Sequence, residues 1–359
     1  MSRNVLKLLL LSTPVGPLGS GTGGGVELTL LNLAKVLQER GHQITVVAPE
    51  GSVLESIDLV EISGNLQIMA QSQQRDTPII LPLDSVLEKM WDYARQVQSD
   101  YDLIVNFAYD WLPLYLTPFF QTKIVHWISM GSLTTAMDNI IENTLERFPK
   151  AVYFHTKAQA ETFNFSKNNL TLLKSGIDLN QYQYCAEPKN QLAWLGRIAA
   201  EKALEDAVLA AKITGIPLKI MGKMQDKSYW EKINQDYPDA PIEYLGFLST
   251  NELQKHLRDC RALLMTPRWV EAFGNVAIEA LACGVPVIAY RRGGPAEIVR
   301  DGETGWLVEP DSVEGLVNAI QKLDKIDRLC CRKQAETEYS LEAWGDRVEK
   351  WLLERIQSE

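Results

Sequence analysis

The first fifty residues alternate between short apolar runs and one stretch with a helical repeat. Val5–Leu11 is an apolar run with the length of a buried parallel strand. After a segment rich in Pro and Gly, apolar residues recur at helical spacing over 28–37, and we expect this helix to end at Arg40-Gly41. Ile44–Ala48 is a second buried run. This pattern predicts a strand–helix–strand unit.

The alternation continues along the chain in two series. The first series adds the predicted strands Leu103–Phe107, Lys123–Ile128 and Val152–Phe154. The second series has the predicted strands Gln191–Leu195, Leu218–Met221, Ile242–Leu245, Ala262–Met265 and Pro286–Ala289. Its predicted helices are Ala203–Thr214, Thr250–Cys260, Asn275–Cys283, Pro295–Val299 and Val313–Leu323. Two such series predict an α/β protein with two Rossmann-like, doubly wound domains.

The 359 residues are more than one hydrophobic core usually holds, which also favours two domains. We expect an N-terminal domain over 1–174 and a C-terminal domain over 175–340. The last segment has one apolar stripe with two tryptophans over Leu341–Ile356. A helix in 341–359 would cap its own domain or pack back on the first one.

Composition and charge exclude some classes of function. Hydrophobic residues make up 46% and charged residues 23%, as in ordinary globular proteins. A net charge of −10 disfavours nucleic acid as a partner. No run is long enough to span a bilayer, and Val5–Leu11 lacks a signal-peptide cleavage site, so we expect no transmembrane segment and a cytoplasmic location. The five cysteines lack metal-site spacing and are expected to be reduced thiols.

The stretch with the most chemical information follows the predicted strand that ends at Met265. A loop carries Glu271, Gly274-Asn275 opens a helix, and Glu279 lies about one turn further on. The free amides of a helix start suit a phosphate, and Gly274 allows a close approach. A carboxylate beside a phosphate is repelled by it, unless hydroxyl groups of the same ligand donate hydrogen bonds to the carboxylate. The combination indicates a ligand with both phosphate and polyol groups, although either glutamate alone would be read as a surface residue.

This stretch resembles the E-x7-E element of the family-4 retaining glycosyltransferases. Further motifs of that family occur both before and after this element, in the order that is typical of the family. They are Gly24-Gly25-Val26-Glu27, Arg40-Gly41-His42, Lys174-Ser175-Gly176-Ile177-Asp178 (with Ser175 where asparagine is usual), Leu195-Gly196-Arg197 with Lys202, Leu245-Gly246-Phe247-Leu248, Gly293-Gly294-Pro295-Ala296-Glu297 and Asp301-Gly302-Glu303-Thr304-Gly305. The resemblance covers nearly the whole chain. It implies the GT-B fold, in which two Rossmann-like domains face each other across a cleft.

The resemblance also implies residues that bind the donor. Arg197 and Lys202 would clamp the donor diphosphate and stabilise the leaving group, as guanidinium and ammonium groups do. Glu271 would bind the sugar hydroxyls and Glu279 the ribose. The backbone next to Glu271 would share in sugar binding, through Phe273, Gly274 and Asn275.

Other positions follow from the same resemblance. Gly24 and Gly25 would let the N-terminal loop close on the diphosphate. Gly246 and Phe247 would lie in the loop that contacts the base. His126 would contact the donor sugar and count, with Glu271, Arg197 and Lys202, among the catalytic residues; a buried structural histidine is the alternative.

The implied reaction is hexosyl transfer with retention at the anomeric carbon. The resemblance implies UDP-glucose as the donor. We expect no cofactor besides this co-substrate, and no metal. Asp100-Tyr101-Asp102 has the D-x-D spacing of some metal sites, but it precedes a predicted strand and is better explained as a turn.

The acceptor is expected in the N-terminal domain, where Tyr109, Asp110 and Trp111 follow a predicted strand end. Aromatic faces beside a carboxylate suit a small planar heterocycle. In whole-chain character the sequence is similar to the pteridine-modifying members of the family, which glucosylate tetrahydrobiopterin from UDP-glucose. This resemblance implies transfer to the side-chain hydroxyl of a pteridine; the alternative acceptor is a sugar, either free or lipid-linked.

Two other classes of function remain as alternatives. Gly19-x-Gly21-x-x-Gly24, with Glu50 at the end of the second strand, formally matches the fingerprint of NAD(P)-dependent oxidoreductases. The first strand ends about eight residues too early for it. A silent nucleotide-sugar binder, an epimerase or a phosphorylase would share the predicted fold; an assay without acceptor and a test of phosphate dependence separate the last two from a transferase.

Overall fold

The computed structural model describes residues 5–19, 24–165 and 170–357. It divides into two compact units. Unit 1 comprises Met1–Ser175 together with Trp344–Glu359, and unit 2 comprises Gly176–Ala343. The boundary expected from sequence lay between residues 174 and 175.

Unit 1 contains a seven-stranded parallel sheet with the strand order β3-β2-β1-β4-β5-β6-β7. Its strands are β1 (Lys7–Leu11), β2 (Gln43–Pro49), β3 (Asp58–Ile62), β4 (Leu103–Asn106), β5 (Ile124–Ile128), β6 (Val152–Phe154) and β7 (Thr171–Leu172). Its first helices are α1 (Gly25–Glu39), α2 (Val86–Val97), α3 (Trp111–Leu116), α4 (Thr135–Arg147) and α5 (Lys157–Glu161). The central strands are buried on both faces, which explains their continuous apolar sequence.

Unit 2 repeats this plan with a six-stranded parallel sheet of order β10-β9-β8-β11-β12-β13. Its strands are β8 (Leu192–Leu195), β9 (Leu218–Met221), β10 (Ile242–Tyr244), β11 (Ala262–Met265), β12 (Val287–Tyr290) and β13 (Gly305–Val308). Its helices are α6 (Leu204–Thr214), α7 (Lys227–Asp236), α8 (Thr250–Arg258), α9 (Asn275–Ala282), α10 (Gly294–Ile298), α11 (Val313–Ile320) and α12 (Arg328–Gln334). Buried apolar side chains cover both faces of the sheet.

The last helix, α13 (Leu341–Gln357), begins in unit 2 and packs mainly on unit 1. The Trp344 ring lies 5.9 Å from Trp127, and Trp351 lies 5.9 Å from Tyr153. Both tryptophans of the apolar stripe are buried in this contact. A terminal helix with two large aromatic side chains thereby finds its docking surface on the sheet of the first unit.

Polar side chains that follow the end of α1 form hydrogen bonds to α13. Glu349 accepts a hydrogen bond of 2.6 Å from Arg40. The Nδ1 atom of His42 accepts from the Leu6 amide at 3.1 Å, so Nε2 carries the proton and donates to Glu349 at 3.2 Å. The Arg40-Gly41-His42 motif therefore holds the C-terminal helix.

The α/β class with two Rossmann-like units is confirmed. Each sheet has a point at which the strand order reverses, between β1 and β4 in unit 1 and between β8 and β11 in unit 2. Ligands of doubly wound sheets bind beyond the carboxyl ends of the strands at this point. Within the described ranges, no helix is both long enough and apolar enough to cross a membrane.

Candidate functional site

The two strands at the switch point of unit 2 lead into the residues predicted to bind the donor. Gly196 and Arg197 follow β8, and a short 3-10 turn, Ala200–Lys202, comes before α6. The loop after β11 carries Glu271 and ends at α9. Because both strands end at the same edge of the sheet, residues 69 positions apart in sequence meet there.

A buried threonine joins these two loops. The hydroxyl of Thr266, directly after β11, lies 3.1 Å from the Lys202 carbonyl oxygen and 2.8 Å from that of Ala203. It also accepts a hydrogen bond of 3.2 Å from the indole of Trp194 in β8. The Arg268 amide adds a backbone hydrogen bond of 2.9 Å to the Glu201 carbonyl. The loop with Lys202 is thus fixed relative to the loop with Glu271.

Lys202 and Glu271 form an ion pair at the centre of the site, with a direct hydrogen bond from the ammonium to the carboxylate. Their side chains are only 17% and 15% exposed. Burial by itself raises the pKa of Glu271, but the charge and hydrogen bond of Lys202 outweigh it and leave the pKa below its ordinary value. Glu271 is therefore an ionised acceptor of hydrogen bonds at neutral pH.

Arg197 lies beside this pair. Its guanidinium is 3.1 Å from a carboxylate oxygen of Glu201 and also donates to Gln225. The side chain is 19% exposed. Arg197 and Lys202 are thus brought together, as predicted from sequence, and both are paired with acidic or amide groups here.

Trp269 was not predicted from sequence as part of the site. Its ring lies 4.7 Å from the Lys202 ammonium nitrogen and 5.9 Å from the central guanidinium carbon of Arg197. The sequence feature that could have indicated Trp269 is its position two residues before Glu271 in the same loop.

Three glycines allow the loop before α9 to pack closely. Gly274 precedes the first residue of α9 with φ 97°, in the left-handed region that favours glycine. A Cβ on Gly294 would lie 2.1 Å from the carbonyl oxygen of Phe273, and one on Gly293 would lie 2.7 Å from the backbone of Glu271. Phe273 itself is buried in the core, so only its backbone is available to a ligand. Asn275 is the first residue of α9, where helical amides suit an anion.

Glu279 lies in α9 with its side chain buried. One carboxylate oxygen accepts a hydrogen bond of 2.8 Å from the hydroxyl of Tyr182, a partner that the sequence did not predict. Burial raises the pKa of Glu279, and the Tyr182 hydrogen bond offsets only part of this. Its role at the ribose stays a prediction.

The predicted base-contacting loop follows β10. Gly246 has φ 78°, and its carbonyl accepts a hydrogen bond of 2.8 Å from the Gly222 amide. Phe247 is 58% exposed, which is unusual for a phenylalanine in a short turn. Both residues border the carboxyl end of the sheet of unit 2, next to β9.

In unit 1, Gly24 and Gly25 lie at the start of α1. Gly24 has φ 61° and precedes the helix, which begins at Gly25. The buried carboxylate of Glu27 accepts a hydrogen bond of 3.2 Å from the Gly19 amide, so the first turn of α1 anchors the preceding loop. Gly21, part of the oxidoreductase fingerprint, lies outside the described residues.

His126 does not lie at the end of its strand. It is the third residue of β5, fully buried, with Nε2 2.8 Å from the Thr117 hydroxyl and Nδ1 3.2 Å from the Asn106 amide nitrogen. Burial lowers the pKa of His126 to about 3. The ring is therefore neutral and bonded on both sides to protein groups. This packing is what the structural alternative predicts, and a contact of His126 with the donor sugar stays a prediction.

The three predicted acceptor residues mainly serve internal contacts. The Tyr109 hydroxyl donates to the Gly131 carbonyl at 3.0 Å. Asp110 accepts a hydrogen bond of 2.8 Å from Gln67, and burial raises its pKa. Trp111 stacks on Tyr115 at 4.5 Å. Their role in acceptor binding stays a prediction.

The D-x-D segment lies at the opposite edge of the sheet, before β4. Asp102 accepts a hydrogen bond of 2.7 Å from the Lys7 amide at the start of β1. Asp100 belongs to a short 3-10 turn. In the described part of the chain, no three His, Cys, Asp or Glu side chains come close enough to form a metal site.

Two known families match this chain, one over each half. Residues 23–181 match Glycosyltransferase Family 4, and residues 183–338 match Glycosyl transferases group 1. Together the two matches span both sheets and the whole predicted donor site. Each half of the chain is thus similar to a glycosyltransferase family. Neither match is to an oxidoreductase.

Curated relatives agree with this assignment at moderate identity. An uncharacterised glycosyltransferase of Methanocaldococcus jannaschii is 31% identical over 44% of this chain and 44% of its own length. The sulfoquinovosyl transferase SQD2 of Arabidopsis thaliana is 30% identical over 44% of this chain and 32% of its own length. These matches thus cover less than half of each relative. A D-inositol 3-phosphate glycosyltransferase of Corynebacterium aurimucosum is 24% identical over 89% of this chain and 87% of its own length.

Solved structures support the GT-B fold over the full length. Sucrose-phosphate synthase from Thermosynechococcus elongatus has a TM-score of 0.77 at 20% identity, with 98% of each chain covered. Anabaena HepE in complex with UDP-glucose has a TM-score of 0.74 at 18% identity, with 97% of this chain and all of that chain covered.

Proposed function

We propose that this glycosyltransferase moves a glucosyl residue from UDP-glucose to a small acceptor, with retention at the anomeric carbon and without a metal ion. The observation that carries the proposal is the arrangement of Arg197, Lys202 and Glu271 beyond the carboxyl ends of β8 and β11. Two cations and one ionised carboxylate meet there beside the first residue of α9.

This arrangement matches the parts of a nucleotide sugar. A diphosphate carries negative charges that need compensation once water is excluded, and Arg197 and Lys202 supply it. The amides at the start of α9 favour phosphate as well. Glu271 accepts hydrogen bonds from the sugar hydroxyls and fixes the anomeric carbon. The complex of the similarly folded HepE with UDP-glucose adds support for this donor.

The proposed reaction needs no cofactor. The bond between the anomeric carbon and the diphosphate oxygen breaks, and its electron pair leaves with UDP. The acceptor hydroxyl oxygen forms the new bond from the same face of the sugar, and its proton passes to the leaving phosphate. Arg197 and Lys202 stabilise the charge on UDP, which is the task that a metal ion has in other transferases.

For the acceptor we propose the side-chain hydroxyl of a reduced pteridine such as tetrahydrobiopterin. The support is the whole-chain resemblance and the position of Tyr109, Asp110 and Trp111 directly after β4, at the switch point of unit 1. Aromatic groups and a carboxylate at this edge suit a planar heterocycle with ring N–H donors.

One surface favours the second candidate, a lipid-linked sugar. The segment between β3 and α2 is pinned at its base by Gln67, which bonds to Asp110. It exposes six large aliphatic side chains, by 41–91%: Leu66, Ile68, Ile79, Ile80, Leu81 and Leu83. Such a surface next to an acceptor residue suits an apolar chain.

The test combines a donor screen with an acceptor screen. The full chain is incubated with UDP-glucose and tetrahydrobiopterin, with and without EDTA, and products are analysed by mass spectrometry and by the anomeric NMR coupling. We expect an α-hexosyl adduct in both samples. A parallel sample contains a polyprenyl-phosphate-linked sugar in detergent. Glucosylation of that acceptor alone would replace the pteridine, and loss of activity in EDTA that Mg²⁺ restores would refute metal independence.

Arg197→Met and Lys202→Met serve as donor-site variants. Each loses a charged hydrogen bond to phosphate, for which we expect a loss of UDP affinity of about 10- to 100-fold. Calorimetric affinities equal to that of the unmodified chain in both variants would contradict the proposed site.

A further inference from the structure

Trp269 contacts both cations of the donor site, although its own side chain can donate only one hydrogen bond. It lies in the loop that Thr266 and the Arg268 amide tie to the segment with Lys202. The indole ring is half-buried, 4.7 Å from the Lys202 nitrogen and 5.9 Å from the Arg197 guanidinium carbon. Both distances are within the range of cation–π attraction.

The two cations have a reason to need such a partner. Arg197 and Lys202 carry like charges in a site where each side chain is less than 20% exposed. Like charges repel and each long side chain has many rotamers, so the pair would spread apart without fixed partners. In this structure Glu201 holds Arg197 and Glu271 holds Lys202. The indole face of Trp269 is a further partner that both cations share.

We propose that Trp269 is a positioning residue, which holds Lys202 and Arg197 side by side so that they meet a nucleoside diphosphate as a preformed pair. This inference rests on the proposed donor site. The indole ring lies against the cations and need not touch the substrate. Its contribution is to donor binding and not to the folding of unit 2.

The test compares Trp269→Leu with Trp269→Phe in the full chain, by calorimetric titration with UDP. Leucine keeps an apolar side chain but removes the π face, so we expect UDP affinity to fall about 5- to 30-fold. Phenylalanine keeps a smaller π face, and we expect a loss below about threefold. In steady-state assays with UDP-glucose, the loss should fall on KM more than on kcat. Equal losses for leucine and phenylalanine, or no loss for leucine, would overturn the inference.

A matched control comes from the same unit. Trp306, in the edge strand β13, has the Lys322 ammonium 6.0 Å from its ring but lies outside the donor site. Trp306→Leu should lower the melting temperature without a change in UDP affinity. If Trp306→Leu weakens UDP binding as much as Trp269→Leu, the effect is one of general destabilisation and the inference is wrong.

A double variant shows whether Trp269 acts through the cations. In the background of Lys202→Met, the nearer cation is absent, so Trp269→Leu should weaken UDP binding by a clearly smaller factor than in the unmodified chain. The same factor in both backgrounds would contradict positioning. Absence of UDP binding by the unmodified chain would instead refute the donor site itself, so the two failures are distinguishable.

Discussion

Replacement of Lys202 by methionine tests the ion pair at the centre of the site. Lys202→Met keeps most of the apolar side chain and removes the charge that faces Glu271. Loss of one partner from a buried ion pair costs about 3–5 kcal/mol, and exposed pairs contribute about 0–1 kcal/mol. Because these side chains are 17% and 15% exposed, we expect a cost of about 1–3 kcal/mol at neutral pH. For a unit of this size that lowers the melting temperature by about 2–10 °C.

The loss of stability in Lys202→Met should depend on pH, and the direction of this dependence follows from the surroundings of Glu271. In the unmodified chain the pKa of Glu271 is below its ordinary value of 4.5, so its contribution to stability is present above about pH 4.5 and is lost as the pH falls through the folded-state pKa. In Lys202→Met, burial remains and only the weaker effects of Trp269 and Arg197 oppose it, so the pKa of Glu271 should rise above 4.5. The carboxylate then destabilises the fold at neutral pH and is protonated in acid. The difference in stability between the two chains should therefore be large at pH 7 and small at pH 4.

The measurement is differential scanning calorimetry of both chains from pH 4 to pH 8. Lys227→Met is the control, because Lys227 pairs with Glu231 at 3.8 Å with both side chains more than half exposed. We expect the control to change stability by less than about 0.5 kcal/mol at every pH. A difference for Lys202→Met that is the same at pH 4 and pH 7, or as small as that of the control, would refute this account of the pair.

Three further predictions concern the interior and the last helix. His126→Leu removes one hydrogen-bond partner from the Thr117 hydroxyl and one from the Asn106 amide, which keep their bonds to the Pro113 and Ala108 carbonyls, so we expect a loss of about 1–3 kcal/mol in unfolding free energy with little change in the donor KM. Because the folded-state pKa of His126 is about 3, the unmodified chain should lose stability as the pH falls from about 6.5 towards 3, and the variant should lose less; equal acid sensitivity of both chains would contradict this. Glu349→Gln removes the charge shared by Arg40 and His42 and should lower thermal stability by about 1–3 kcal/mol, whereas Glu354→Gln, whose pair with Lys350 is exposed, should not. Gly294→Ala places a Cβ 2.1 Å from the Phe273 carbonyl and should cost about 1–3 kcal/mol and raise the donor KM; a variant with unchanged stability and KM would show that the loop before α9 moves freely.

The sequence predicts the sheets well because buried parallel strands leave a simple signature. The predicted strands Val152–Phe154, Leu218–Met221 and Ala262–Met265 coincide with β6, β9 and β11, and the other predicted strands differ at either end by one or two residues. The edge strand β3 was not predicted, because its burial is only partial and its sequence contains two acidic residues. Helix α2 was not predicted either, although Ser85 caps it and its apolar residues share one face.

The donor site was predicted as a set of motifs, but the contacts within it depend on tertiary packing. Lys202 and Glu271 are 69 positions apart, and Tyr182 and Glu279 are 97 apart. Nothing local in the sequence pairs them. The position of His126 shows the same dependence, since a shift of two residues along β5 separates the interior of the sheet from its functional edge.

The return of α13 to unit 1 has a consequence for biosynthesis. Unit 2 is continuous in sequence, so all of its residues are synthesised before the part of unit 1 that begins at Trp344. The surface around Trp127 and Tyr153 has to wait for Trp344 and Trp351, which are synthesised only after the whole of unit 2. The nascent N-terminal unit therefore exposes an aromatic surface until these two residues have emerged from the ribosome. A stop codon after residue 343 would leave the middle of the chain intact and deprive its beginning of a covering helix.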